Sequence, residues 1–258
     1  MLALKLLLVP ALLGAISMAG RRWGAGVAGW LAGFPSLTGA VLFFLAIEQR
    51  PEFTVQAAVV SLSTVFPAVA FGAAYAWACT RWRWFWCLAC ALSAWAAAAL
   101  LLSRLPLTPV VSLAISLVTL FIAPRIYPRA HAQWGSRAMP AHELLLRMAA
   151  GAAMVLGVTA MAEALGTAWT GLFAAFPVMS TVLAVFSHRA NGPGFAVALL
   201  RAMIGGFYSF IAFSLAVSLL LAHASIAVTF AASVAAAVVV QWIAKAIMMR
   251  LASKEGAR

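Results

Sequence analysis

Apolar residues run along this chain in long blocks, separated by short clusters of Arg, Pro, Gly and small polar residues. A helix that crosses a bilayer needs about 20 predominantly apolar residues. Blocks of that kind lie at approximately 2–19, 24–47, 53–79, 84–103, 107–123, 144–163, 167–187, 195–222 and 225–249. The pattern predicts an all-α integral membrane protein with about nine transmembrane helices. Connections are short except for 124–143, a stretch rich in Pro, Arg and His that is the one plausible linker.

Composition agrees, with 66% of the 258 residues hydrophobic and 9% charged. A soluble domain of this size cannot hide so much apolar surface, so the bilayer must be its solvent. The first block resembles a secretory signal ending at Ser17-Met18-Ala19. Its front end carries only Lys5, however, and its Leu13-Gly14 and Met18-Ala19 recur as Leu156-Gly157 and Met161-Ala162. The expectation is a permanent helix.

Charge sets the orientation. If nine helices alternate sides, one side receives Arg21, Arg22, Arg81, Arg83, Arg125, Arg129, Arg137, Arg147, Arg189, Arg201, Lys245, Arg250, Lys254 and Arg258. Lys5, Arg50 and Arg104 remain for the other side. The positive-inside rule places the rich side in the cytoplasm of a bacterial inner membrane, with the amino terminus periplasmic and the carboxyl terminus cytoplasmic. The net charge of +12 then needs no nucleic-acid partner; it orients the chain and suits anionic membrane lipid.

One pattern occurs twice. Gly29-Trp30-Leu31-Ala32-Gly33-Phe34-Pro35 returns 142 residues later as Gly171-Leu172-Phe173-Ala174-Ala175-Phe176-Pro177. At the same offset Phe44, Pro51, Phe53 and Val55 fall on Phe186, Pro193, Phe195 and Val197. The reading is a duplication: 1–104 as a first repeat of four helices, 105–142 as connector helix and cytoplasmic loop, and 143–258 as a second repeat of four. Five crossings separate equivalent helices, an odd number, so the two repeats are expected to be inverted. Inverted repeats with interrupted helices are a mark of secondary transporters.

On the stretches Gly29 to Pro35, Pro51-Glu52-Phe53 and Gly171 to Arg201, each half resembles the GlpM-type family of small bacterial inner-membrane proteins. The layout is also similar to the drug/metabolite transporter superfamily, in which four-helix units pair antiparallel or are fused. That resemblance implies architecture rather than activity. The small multidrug exporters of that superfamily use a membrane-embedded Glu in their first helix, and the first helix here has no acidic residue.

Candidate chemistry gathers at the two prolines. Pro35 donates no backbone hydrogen bond and displaces the carbonyl of Leu31; Pro177 does the same to Phe173. Small polar residues follow, Ser36 and Thr38 in one copy and Ser180 and Thr181 in the other. Ala32, Phe34, Ala174 and Phe176 complete the expected substrate-binding region. Gln56, with Ser61 and Pro67, is expected to line the same pocket. Arg201, about 10 Å into its helix by helical rise, is a candidate for holding a carboxylate or phosphate, with Tyr208 following on a nearby turn. Glu163 is a candidate gate or proton acceptor. Poverty in carboxylates favours an anionic or zwitterionic substrate.

Other clusters imply little chemistry. Cys87 and Cys90 form a C-x-x-C without a second ligand pair, so no metal or cofactor is expected. Trp82, Trp84, Phe85 and Trp86, interleaved with Arg81 and Arg83, match an interfacial aromatic belt. No nucleophile elbow or phosphate loop is present, and the chain is not expected to be an enzyme. The expected function is secondary transport of a small anionic or zwitterionic solute or lipid-linked group, by a monomer or homodimer. The alternative is a non-transporting subunit that scaffolds lipid or polysaccharide machinery.

Overall fold

A computed structural model describes residues 2–128, 141–165 and 176–255. The described residues form helices and contain no strand. In chain order these are α1 (Leu2–Trp23), α2 (Ala25–Ala32), α3 (Ser36–Glu48), α4 (Pro51–Ser63), α5 (Val65–Ala78), α6 (Trp84–Leu102), α7 (Pro109–Ile126), α8 (Ala141–Leu165), α9 (Val178–Asn191), α10 (Pro193–Leu220) and α11 (Ile226–Glu255). Eight stretches among them are long and apolar enough to cross a membrane, with α2–α3 and α4–α5 each counting once. This makes the chain a multi-pass membrane protein. The expected crossing at 167–187 falls partly outside the described residues, and α9 is its described half.

Local chemistry explains where helices begin and bend. Pro51, Pro109 and Pro193 open α4, α7 and α10, where a missing N–H costs nothing and the fixed φ favours the first turn. Thr108 caps α7 by accepting from the Val111 N–H at 3.3 Å. Pro67 cannot donate to Ser63, and the α4–α5 bend sits at that point. The bend is supported from α7, where the Ser116 hydroxyl donates to the Leu62 carbonyl. Gly192, at φ 84°, makes the tight turn from α9 into α10.

The centre of the bundle is α10, which packs against α2, α4, α5, α7, α9 and α11. The approach of α2 is close enough to need glycine on both sides. A Cβ on Gly33 would stand 2.7 Å from the Cα of Gly206, and one on Gly206 would stand 2.5 Å from the Trp30 carbonyl oxygen. Small residues let backbones meet in this way inside membranes, where packing rather than the hydrophobic effect holds helices together.

Two helix pairs run antiparallel. Along α1 and α8, Leu13 lies by Gly151, Gly14 by Met148, and Ser17 by Arg147. Along α4–α5 and α10, Cys79 reaches the Pro193 carbonyl at one end. At the other end Val55 and Ala58 share a cluster with Val217 and Leu221. Four further contacts also fall into pairs: α5 with α6 and α10 with α11, α3 with α4 and α9 with α10, α1 with α3 and α8 with α9, α3 with α11 and α9 with α6.

Candidate functional site

The expected break at Pro35 is present, Pro177 stands at a helix start with the same backbone design, and the residues before Phe176 lie outside the described ones. Pro35 stands at φ −75°, ψ 34° before α3, and Pro177 at φ −82°, ψ 60° before α9. These values lie in or near the inverse γ-turn region. In each copy the N–H after proline donates back across it, Ser36 to the Phe34 carbonyl at 2.8 Å and Val178 to the Phe176 carbonyl at 2.9 Å. Each proline carbonyl then accepts from the residue four ahead, Gly39 at 2.7 Å and Thr181 at 2.9 Å. A new helix therefore starts at each proline.

The carbonyls before Pro35 find internal partners. That of Leu31 accepts from the Phe34 N–H at 3.1 Å. That of Trp30 accepts from Gln241 Nε2 at 3.2 Å, a contact from α11 that reaches across the bundle. Backbone groups left bare in hydrocarbon cost several kcal/mol each, so Gln241 holds a position no apolar side chain would satisfy.

The break at Pro35 and the helix start at Pro177 open onto one cavity of about 550 Å³. Ala32, Gly33, Phe34, Ser36, Leu37 and Thr38 line it from the first copy; Phe176, Pro177, Val178, Met179 and Ser180 line it from the second. Residues of α1, α4, α5, α8 and α10 complete the wall, among them Val9, Gln56, Ser61, Thr159, Met203 and Phe210. The cavity extends along α3 to Leu45 and along α4 to Phe53, toward the end where Gln49 and Arg50 join the two helices.

Hydroxyl groups on the wall divide into two sets. Ser61 donates to the Ala57 carbonyl at 2.8 Å and Thr64 to the Ser61 carbonyl at 2.7 Å, so both are spent within their own helix. Ser36, Thr38, Thr159 and Ser180 have no hydrogen-bond partner among the described residues. Ser180 is also 7% exposed, with its hydroxyl at the cavity surface. No charged side chain lines the cavity among the described residues.

The other expected site residues lie elsewhere. Pro35 is buried behind the wall that Phe34 and Ser36 form. Thr181 is buried with its hydroxyl unpartnered but does not face the cavity. Tyr208 packs against the main apolar cluster. Arg201 Nη1 donates to the Tyr127 carbonyl at 3.1 Å and the Pro128 carbonyl at 3.4 Å. It thus closes the C-terminal end of α7, where a cation is favoured by the exposed carbonyls. Ala174 and the Glu163 side chain lie outside the described residues.

A second polar cluster escaped the sequence reading. Arg147, expected only as one of the basic residues of the cytoplasmic side, is 2% exposed. Its Nη2 and Nε donate to Glu143 Oε1 at 2.6 and 3.2 Å, and its Nη1 to Ser17 Oγ at 3.4 Å. Its guanidinium carbon lies 5.7 Å from the centre of the Phe186 ring. The i,i+4 spacing of Glu143 and Arg147 was a visible signal; the burial comes from α1 and α9 and was not. Cys87 and Cys90 face no third ligand, and no metal-binding cluster of three side chains occurs among the described residues.

Comparison of the chain with protein-family models, with curated proteins and with solved structures finds no match.

Proposed function

We propose that the chain is a secondary transporter of the bacterial inner membrane, built from two inverted four-helix repeats of the GlpM-type family joined by a connector helix. The observation that carries this reading is the cavity bounded by the break at Pro35 and the helix start at Pro177. Interrupted helices that meet at one pocket supply half-helix ends, freed backbone groups and hinge points together.

Inversion is supported by the direction of equivalent helices. The pairs α1 with α8 and α4–α5 with α10 run antiparallel. Four further pairs of contacts exchange partners when first-repeat helices are swapped for their second-repeat equivalents. Two similar bundles so related have two nearly equivalent ways to lean, which is the basis of alternating access.

In this conformation the cavity faces the α3–α4 connection, which the charge pattern assigns to the periplasm. Below it the contact of Gly33 with Gly206 and the cluster of Glu143, Arg147 and Ser17 close the cytoplasmic side. The substrate is a small anionic or zwitterionic solute or lipid-linked group. Its negative part is drawn by the helix N-termini at the breaks rather than by Arg201, whose guanidinium is occupied at α7.

A spin-label pair at Leu45→Cys on α3 and Thr159→Cys on α8 tests the reading, since the two residues line the cavity from different helices. A transporter reconstituted in lipid gives two distance populations, open and closed. One narrow distance under all conditions favours the scaffolding subunit.

A further inference from the structure

The cavity combines two features that point to one kind of occupant. Most of its wall is apolar, with Val9, Leu12, Ile16, Val41, Phe53 and Phe210 as examples. Its polar lining divides between the starts of α3 and α9, with Ser36, Thr38 and Ser180, and the α4 and α8 walls, with Gln56, Ser61, Thr64 and Thr159, of which Ser61 and Thr64 are spent on backbone carbonyls. From Leu37 to Leu45 the wall of α3, apolar except for Thr38, runs for about 12 Å by helical rise. That is a long slot for a compact hydrophilic solute and a fitting one for a hydrocarbon chain.

The two helix starts face the cavity with their first turns, Ser36 to Thr38 and Val178 to Ser180. The N–H groups of Leu37, Thr38 and Ser180 have no backbone acceptor among the described residues. Helices of 13 and 14 residues stand behind them. Each presents the positive end of its dipole, which favours negative charge. Ser180 supplies an independent sign of a missing partner, being more than nine-tenths buried, unbonded, and directed at the same space. Thr38 supplies the equivalent hydroxyl from the other repeat.

We infer that the cavity binds a single-chain anionic amphiphile, its carboxylate or phosphate head held by the starts of α3 and α9 with Thr38 and Ser180, its alkyl chain along α1, α3 and α10. This names the substrate class of the transport site and rests on that reading. No charged side chain is needed: N–H groups and hydroxyls in a low-dielectric pocket hold an anion without the desolvation cost of burying an arginine.

Isothermal titration of the full-length protein in zwitterionic-lipid nanodiscs, with empty discs subtracted, tests the inference. The probes are dodecanoate, dodecyl phosphate, dodecanol and dodecyltrimethylammonium, which share a chain and differ in the head. Saturable binding of one anionic probe per chain is expected, at least tenfold tighter than dodecanol, with the cation weakest. The order of the two anionic probes tells which head the site prefers. Thr38→Val and Ser180→Ala are each expected to weaken the anionic probes about fivefold, the loss of one hydrogen bond, and to leave dodecanol unchanged. Thr38→Ser keeps the hydroxyl and is expected to keep the affinity.

Equal binding of dodecanol and dodecanoate overturns the inference, as does tightest binding of the cation or no saturable binding at all. If a variant fails to fold, the anion-to-alcohol ratio of the unaltered protein still decides. Transport is judged separately by the spin labels. Two mouth distances with no anion preference defeat the substrate class alone, whereas anion preference with one fixed distance defeats transport alone.

Discussion

Thr38 and Ser180 stand three residues after Pro35 and Pro177, in two copies of one motif, and both line the same cavity. Equivalent hydroxyls therefore reach one space from two helices that the chain reaches 142 positions apart. The local turn explains part of this. Each proline starts a fresh helix, and the third residue of that start projects from its first turn, where N–H groups have no partner within the helix.

The contact of α2 with α10 sets how deep the break can sit. Gly206→Ala is expected to destabilise the protein by about 1–3 kcal/mol through overpacking, because its methyl would meet the Trp30 carbonyl. Gly26→Ala, with open space around it, is the matched control and should be neutral or slightly stabilising. Thermal unfolding in detergent micelles measures both. Similar midpoints for the two variants would remove the close approach from the account.

The buried ion pair has a sign that is easy to test. Glu143→Gln leaves the Arg147 charge buried without its carboxylate, a loss of about 3–5 kcal/mol. The double change Glu143→Gln with Arg147→Met removes the stranded charge and is expected to recover much of that loss. Chemical unfolding of the single and double variants in mixed micelles reads the difference. A double variant less stable than Glu143→Gln alone would mean that the contacts of Arg147 with Ser17 and Phe186 outweigh the cost of burying its charge.

Arg201 is expected to behave as a structural cap. Arg201→Met removes donors to the Tyr127 and Pro128 carbonyls and should cost about 1–3 kcal/mol for acceptors left unsatisfied. Affinity for dodecanoate should stay within about twofold, below the worth of a single hydrogen bond. Binding lost without loss of stability would return Arg201 to the site.

How much of this was legible in the sequence varies with the range of the interaction. Proline chemistry is local, so the break at Pro35, the helix start at Pro177 and the hydroxyls beyond them were readable from spacing alone. All-helical character was readable too, because hydrocarbon leaves the backbone few other choices. Arg201 shows the limit. Its depth in α10 marked it as unusual, but its partners lie at Tyr127 and Pro128, on a helix end that no periodicity places beside it. Arg147 shows the reverse error, since a guanidinium near a helix end reads as exposed until α1 brings Ser17 against it. The largely apolar wall of the cavity was also invisible, because its residues come from many helices and look like ordinary lipid-facing positions.

The most direct measurement is thiol labelling at Thr38→Cys and Ser180→Cys, with Cys79, Cys87 and Cys90 replaced so that each introduced thiol stands alone. A membrane-impermeant maleimide is applied to sealed vesicles of each orientation. Two breaks facing one alternately opened cavity predict that both positions react from both membrane sides, and that dodecanoate slows both reactions. Labelling of only one position, or of both from a single side only, would contradict the account.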